Sequence, residues 1–363
     1  MIRYLGKSII AVSIGCALAL SPAAIANKKN LNIYNWSDYI AEDTITNFEA
    51  ETGINVRYDV FDSNEVLEAK LLSGKTGYDI VVPSASFMAK QIQAGVFKEL
   101  DKSKLPEWKH LDADIMSIVS SFDQGNKHAY PYLWGTTGIG YNPEQIKKYL
   151  GKEAPVDSWS LLFDEENIRK LSQCGVAFLN APTEVIPAAL NYLGLDPNST
   201  DQKDYSKAEE LLMKIRPYVT YFHSSRFISD LANGDICVAI GWSGDVLQAS
   251  DRAAEADNDV VIEYSIPKEG AAMWFDMLAI PKDAENIDEA YAFLNYLLKP
   301  KVMAEISNYV AYASANKASV ALIDDEIHPV IIADGYKKAS KKAMEFLSEI
   351  TIIVESKDKE TLE

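Results

Sequence analysis

Clustered lysine and arginine, which a nucleic-acid surface needs, are missing from this chain. It carries 53 acidic side chains against 35 basic ones, a net charge of −18. Nucleic acid is therefore excluded as an expected partner. An acidic balance suits a cationic ligand, which it concentrates near a cleft. It also simply keeps exported proteins soluble. Metal ligands are equally scarce. The four histidines, His110, His128, His223 and His328, are scattered without ligand spacing, so neither a metal site nor a cofactor is expected. A phosphate loop is absent too: Gly138-Ile139-Gly140 lacks a third glycine at the right spacing and runs into Tyr141-Asn142-Pro143. It is read instead as a strand near a hinge. Beyond the N-terminus no apolar run is long enough to span a bilayer.

The N-terminus itself has the layout of a secretory signal peptide. Arg3 and Lys7 give a positive start, Ser8 to Leu20 is uncharged and apolar, and Ala24-Ile25-Ala26 supplies small residues at the cleavage positions. Residues 1–26 are thus expected to be removed. A rival reading makes Cys16 a lipoprotein cysteine, but Ser13 stands where such sites prefer an aliphatic residue. Two cysteines remain, Cys174 and Cys237. An even pair in an exported chain suggests a disulfide; two buried free thiols are the alternative.

The rest of the chain alternates strand and helix patterns. Leu31 to Tyr34, Ile54 to Val60 and Asp79 to Val82 read as strands, with helices at Asp43 to Thr52 and Glu65 to Leu72 between them. Val176 to Leu179, Ile236 to Ile240, Val260 to Ile266 and Met273 to Ile280 extend the strand set. Helices are expected over Glu184 to Leu193, Ala208 to Ile215, Asp245 to Ala256, Asp288 to Leu298 and Val302 to Tyr309. This alternation implies an α/β fold with parallel-rich sheets. Such sheets bind ligands at the carboxyl ends of their strands. Trp36-Ser37-Asp38, Ser84-Ala85-Ser86 and Trp242-Ser243-Gly244-Asp245 all follow expected strand ends.

Three separated stretches also tie an aromatic ring to an aspartate: Trp36-Ser37-Asp38-Tyr39, Trp242-Ser243-Gly244-Asp245 and Trp274-Phe275-Asp276. Brought together, they make a box with flat apolar walls and anionic ends. Aromatic faces attract cations by roughly 0.5–2 kcal/mol each. Carboxylates add short charge-assisted bonds to ammonium groups. Separately, each stretch reads as ordinary core beside a turn. Trp108, Trp134 and Trp159 are read as core or surface rings, and Asp283 to Glu289 as a solvated acidic face.

The run Leu31 to Ile40 is similar to the start of mature periplasmic polyamine receptors of ABC uptake systems. Asp59 to Glu65, Val81 to Phe87, Leu231 to Asp235 and Gly241 to Asp245 extend the resemblance, which covers Asn27 to about Lys317. It is strongest to the putrescine-binding branch. The resemblance implies a two-lobed periplasmic binding protein of type II, acting as a monomer and serving an ABC permease, with the ligand cleft between the lobes. One lobe would be 27–134 plus 254–311, the other 135–253 plus 312–363. It further implies that Trp36, Tyr39, Trp242, Trp274 and Tyr312 form the walls. Asp245 and Asp276 would hold the ammonium groups. Ser37, Asp38, Ser84 and Glu184 would complete the hydrogen bonding, some of it through water. Cys174 and Cys237 fall where the putrescine receptor has its disulfide.

Two features depart from that pattern. Trp274 stands where the putrescine branch has Phe and spermidine-preferring relatives tend to have Trp; Ser37 and Ala181 stay as in putrescine receptors. The match fades after Lys317, and the chain lacks the branch's usual basic, Trp-containing end. The reading from a different class is a secreted carbohydrate-active enzyme. It would use Asp38 with Glu184, or Asp245 with Asp276, as a carboxylate pair.

Overall fold

The computed structural model describes residues 29–324. The signal-peptide reading, and the end of the expected second lobe, fall outside the described residues. Among the described residues ten strands form the framework: β1 (Asn30–Trp36), β2 (Asn55–Phe61), β3 (Ile80–Val81), β4 (Ala129–Tyr141), β5 (Val176–Phe178), β6 (Tyr221–Phe222), β7 (Val238–Trp242), β8 (Glu263–Ser265), β9 (Met273–Ala279) and β10 (Ala313–Ser314). Their order is β2-β1-β3-β9-β4-β7-β5-β6, with β8 and β10 also pairing to β4.

Local chemistry sets the element boundaries. Ser63 Oγ accepts from Val66 N and caps the helix Asn64–Ser73. The helix Asp43–Thr52 stops at Gly53, whose φ of 71° is the left-handed conformation that favours glycine. Asp79 fixes the acidic run Asp283 to Glu289: its Oδ1 accepts from Glu285 N and Asn286 N at the start of the helix Ile287–Leu297. Asp283 in turn accepts from Thr76 N. That acidic stretch is therefore partly structural rather than merely a solvated face. The helix Pro182–Tyr192 runs through Pro187 without interruption.

Buried side chains fall into two cores. The first gathers β1, β3, the start of β4, β9 and the helices Ile287–Leu297 and Pro300–Val310. The second gathers the end of β4, β5, β7 and the helices Pro182–Tyr192 and Ser243–Glu255. The strand β4 serves both. Its Ala129 to Thr136 stretch pairs with β9, with an irregularity between Pro131 and Trp134, and its Thr137 to Tyr141 stretch pairs with β7. The two lobes are thus hinged on one continuous strand.

The packing moves two lobe boundaries from their expected places. Val260, Ile262 and Tyr264 still belong with the second core, because β8 pairs with Ile139 to Tyr141 of β4. The second crossing therefore follows β8 instead of lying near residue 254. Tyr312, Ala313 and Ala315 pack in the first core, because β10 pairs with Leu133 and Trp134. They do not begin a return into the second lobe. Cys174 and Cys237 form a disulfide with Cα atoms 5.5 Å apart, tying the approach to β5 to the approach to β7. Trp159 is fully buried in the second core and Trp134 is buried in the first.

Candidate binding site between the lobes

Where the lobes face each other they enclose a cavity of about 510 Å³, mouth included. Its wall contains Trp36, Ser37, Tyr39, Ser84, Glu184, Trp242, Asp245, Trp274, Asp276 and Tyr312. Distant stretches of sequence thus converge on one space.

Trp36 ends β1 and is fixed by its indole N–H, which donates to Val82 O at 2.8 Å. Trp242 ends β7 and meets it edge to face across the gap, with ring centroids 5.9 Å apart. Tyr39 stands against Tyr132 and Tyr312, and Trp274 against Tyr312. Two glycines let these rings approach. A Cβ on Gly244 would fall 2.5 Å from the Tyr312 ring, and one on Gly135 would fall 2.9 Å from Trp274 Cζ2. The glycine inside Trp242-Ser243-Gly244-Asp245 is therefore required by packing.

Each acid has a hydroxyl donor. Tyr312 Oη donates to Asp245 Oδ1 at 2.6 Å, and Asp245 N donates back to Tyr312 Oη at 3.1 Å. Ser84 Oγ donates to Asp276 Oδ1 at 2.6 Å and accepts from Asn64 Nδ2 at 2.9 Å. Thr137 Oγ1 donates to Glu184 Oε2 at 2.5 Å. Asp245 and Asp276 are buried. Glu184 is half-buried as a residue, with its carboxyl group enclosed.

Burial pushes all three acids up to about 7. The hydroxyl donors oppose this, pulling each back towards the ionised form. Burial, with Asp245 beside it, keeps the Tyr312 phenol protonated and able to donate. Among the described residues, none bordering the cavity is Lys, Arg or His. The site thus has negative groups and aromatic faces but no positive counterpart of its own.

Asp38 is the exception to the expected set. It does not border the cavity. Its backbone takes a φ of 52°, a conformation Asp tolerates better than most residues. Its Oδ1 accepts from Arg252 Nη2 at 2.7 Å. Asp38 comes from the first lobe and Arg252 from the Ser243–Glu255 helix of the second, so the pair bridges the lobes. The physical reason is direct: a nearby guanidinium satisfies this carboxylate.

Phe61, Asp62, Asn64, Ser224, Ser225 and Ile228 also border the cavity and were not singled out from sequence. Asp62 and Asn64 do follow a strand end, β2, so the positional rule could have found them. Ser224 and Ser225 also follow a strand end, but that strand, β6, is only two residues long and leaves no alternation to read. Among the described residues no group of three or more His, Cys, Asp or Glu is placed to hold a metal ion.

A cleft between two α/β lobes, lined from both, defines a ligand-capturing receptor of the two-lobed binding-protein type. The chain belongs to the bacterial extracellular solute-binding protein family, whose profile matches residues 43–338. It is 59% identical over 327 residues to the putrescine-binding periplasmic protein SpuD of Pseudomonas aeruginosa, covering 90% of this chain and 89% of that one. It is 61% identical over 315 residues to the putrescine-binding periplasmic protein PotF of Escherichia coli, covering 86% and 85%. A solved structure, a putative spermidine/putrescine ABC transporter protein from Listeria monocytogenes, superposes with a TM-score of 0.76 at 35% identity, covering 90% of this chain and 98% of that one.

Proposed function

We propose that this protein is a periplasmic receptor that captures a linear polyamine and hands it to an ABC permease. One observation carries the reading: three enclosed carboxylates and a set of aromatic walls share a cavity bordered by no cationic side chain. Ammonium groups supply the missing charge. A lysine-like amine with a pKa near 10.4 stays protonated at neutral pH and lets the acids ionise. A buried ammonium needs a partner at each end, which Asp245 and Asp276 provide. Trp36, Tyr39, Trp242, Trp274 and Tyr312 cover the alkyl chain, and Ser37, Ser84 and Glu184 complete the polar contacts. Asp38 acts through Arg252 at the lobe junction.

The likeness to putrescine-binding proteins supports this ligand class. Contacts from both lobes favour their closure, and that difference in affinity drives the hinge. The receptor works as a monomer, without cofactor, nucleic acid or a catalytic step. Calorimetric titration with putrescine, spermidine and cadaverine tests the reading. Saturable binding without product supports it; failure to bind any of them, or turnover of a glycoside, rejects it.

A further inference from the structure

A diamine brings two positive charges, yet three enclosed acids meet the cavity. The three are not alike. Asp276 accepts from the Ser84 hydroxyl at 2.6 Å, and the Tyr39 hydroxyl near it also favours its ionised form. Asp245 is met by Tyr312, and the negative charge of Asp38 near it is opposed by Arg252. Glu184 has the Thr137 hydroxyl, but the charged groups acting on it are Asp276 and the exposed Glu65, both negative. Tyr264 on β8 also lies near it, its hydroxyl donating to Thr136 O at 3.0 Å. Asp62 borders the cavity but is exposed, so water screens it. Once two ammonium groups match Asp245 and Asp276, an ionised Glu184 would be a third, uncompensated charge.

We propose that Glu184 sets how many charges the cavity accepts: it stays a neutral acid beside a diamine and gives up its proton to solvent beside a triamine. The inference rests on the polyamine reading above. Its basis is the placement of Glu184 in the wall of a cavity that it shares with Asp245 and Asp276, held by the Thr137 hydroxyl and bordered by no cation. Neutral, it still accepts a hydrogen bond and donates one through its own O–H. Ionised, it gives a third ammonium the partner that burial requires. One cavity can then match either a dication or a trication without moving a side chain into or out of it. The proton is fully accounted for, passing from the Glu184 carboxyl to buffer when the third ammonium arrives.

The experiment is calorimetry of the whole protein at pH 6 in two buffers of different ionisation enthalpy, with putrescine and spermidine as probes. At this pH the unliganded Glu184, pushed up to about 7, is mostly protonated, while lysine-like amines are fully charged. Spermidine should release about one proton more than putrescine. Glu184→Gln should remove that difference and lower the spermidine-to-putrescine affinity ratio about tenfold. Thr137→Val, which deletes the hydroxyl donor, should shift the extra release to higher pH. Equal release by two tightly bound amines would overturn charge matching alone. So would rejection of spermidine by a protein that binds putrescine. Failure of both amines to bind would overturn the polyamine reading itself.

Discussion

The Tyr312 hydroxyl, held in the core of the first lobe, donates to Asp245 Oδ1 on a helix of the second at 2.6 Å. This bond engages one oxygen of Asp245, and the proposed ammonium would take the other. Tyr312→Phe removes the donor and leaves a buried acceptor short of a partner, at a cost of about 1–3 kcal/mol. Polyamine affinity should fall roughly tenfold, measured by titration calorimetry. Unchanged affinity would show that the bond contributes nothing to the bound state.

Asp245→Asn and Asp276→Asn should each weaken binding at least tenfold, a loss of about 1.4 kcal/mol. Both acids are buried, so no solvent can replace the lost charge partner. Equal affinity in either variant would remove that residue from the ligand's partners.

Affinity should depend on pH in a definite direction. In the unliganded cavity Asp245, Asp276 and Glu184 sit at about 7, above the ordinary carboxylate range of the unfolded chain. The unliganded fold therefore holds extra protons. The stability they contribute is greatest below the unfolded values, declines as pH climbs towards about 7, and is lost above it. A cationic ligand reverses the preference by ionising those acids that it pairs with. Polyamine affinity should rise steeply between about pH 5 and pH 7 and level off above about pH 8. A flat calorimetric profile across that range would contradict the burial of these groups.

The Asp38–Arg252 pair bridges the lobes but is well exposed, each side chain being 39% accessible. Its value in place is small because water and salt screen it. Arg252→Ala should raise the ligand's dissociation rate a fewfold and flatten its salt dependence, read by stopped-flow. A variant that releases ligand as slowly as the parent would show that the pair does not hold the lobes together.

Trp274 rests on Gly135 and Tyr312, filling one wall with an indole. Trp274→Phe should shift preference towards putrescine, because the smaller ring offers less apolar face to a longer chain. The ratio of putrescine to spermidine affinity is the measurement, and a constant ratio would deny Trp274 that role.

Much of the site was legible in the sequence because strand ends and aromatic–acid pairs are local signals. Trp36, Ser84 and Trp242 all lie where a strand stops. The pairing of Asp38 with Arg252 was not legible for a non-local reason: Arg252 lies 214 positions away, and no pattern around Asp38 announces it. Ser224 and Ser225 were missed because the strand before them, β6, is only two residues long. The lobe boundaries slipped because β8 and β10 are only three and two residues long. Such strands have too little alternation to show which sheet they join, and their pairing to β4 decides it.

Trp36 and Trp242 belong to different lobes yet touch edge to face. Any hinge movement about β4 must change that contact. The molecule therefore carries its own optical gauge: indole emission should respond to the angle between the lobes, with no label attached.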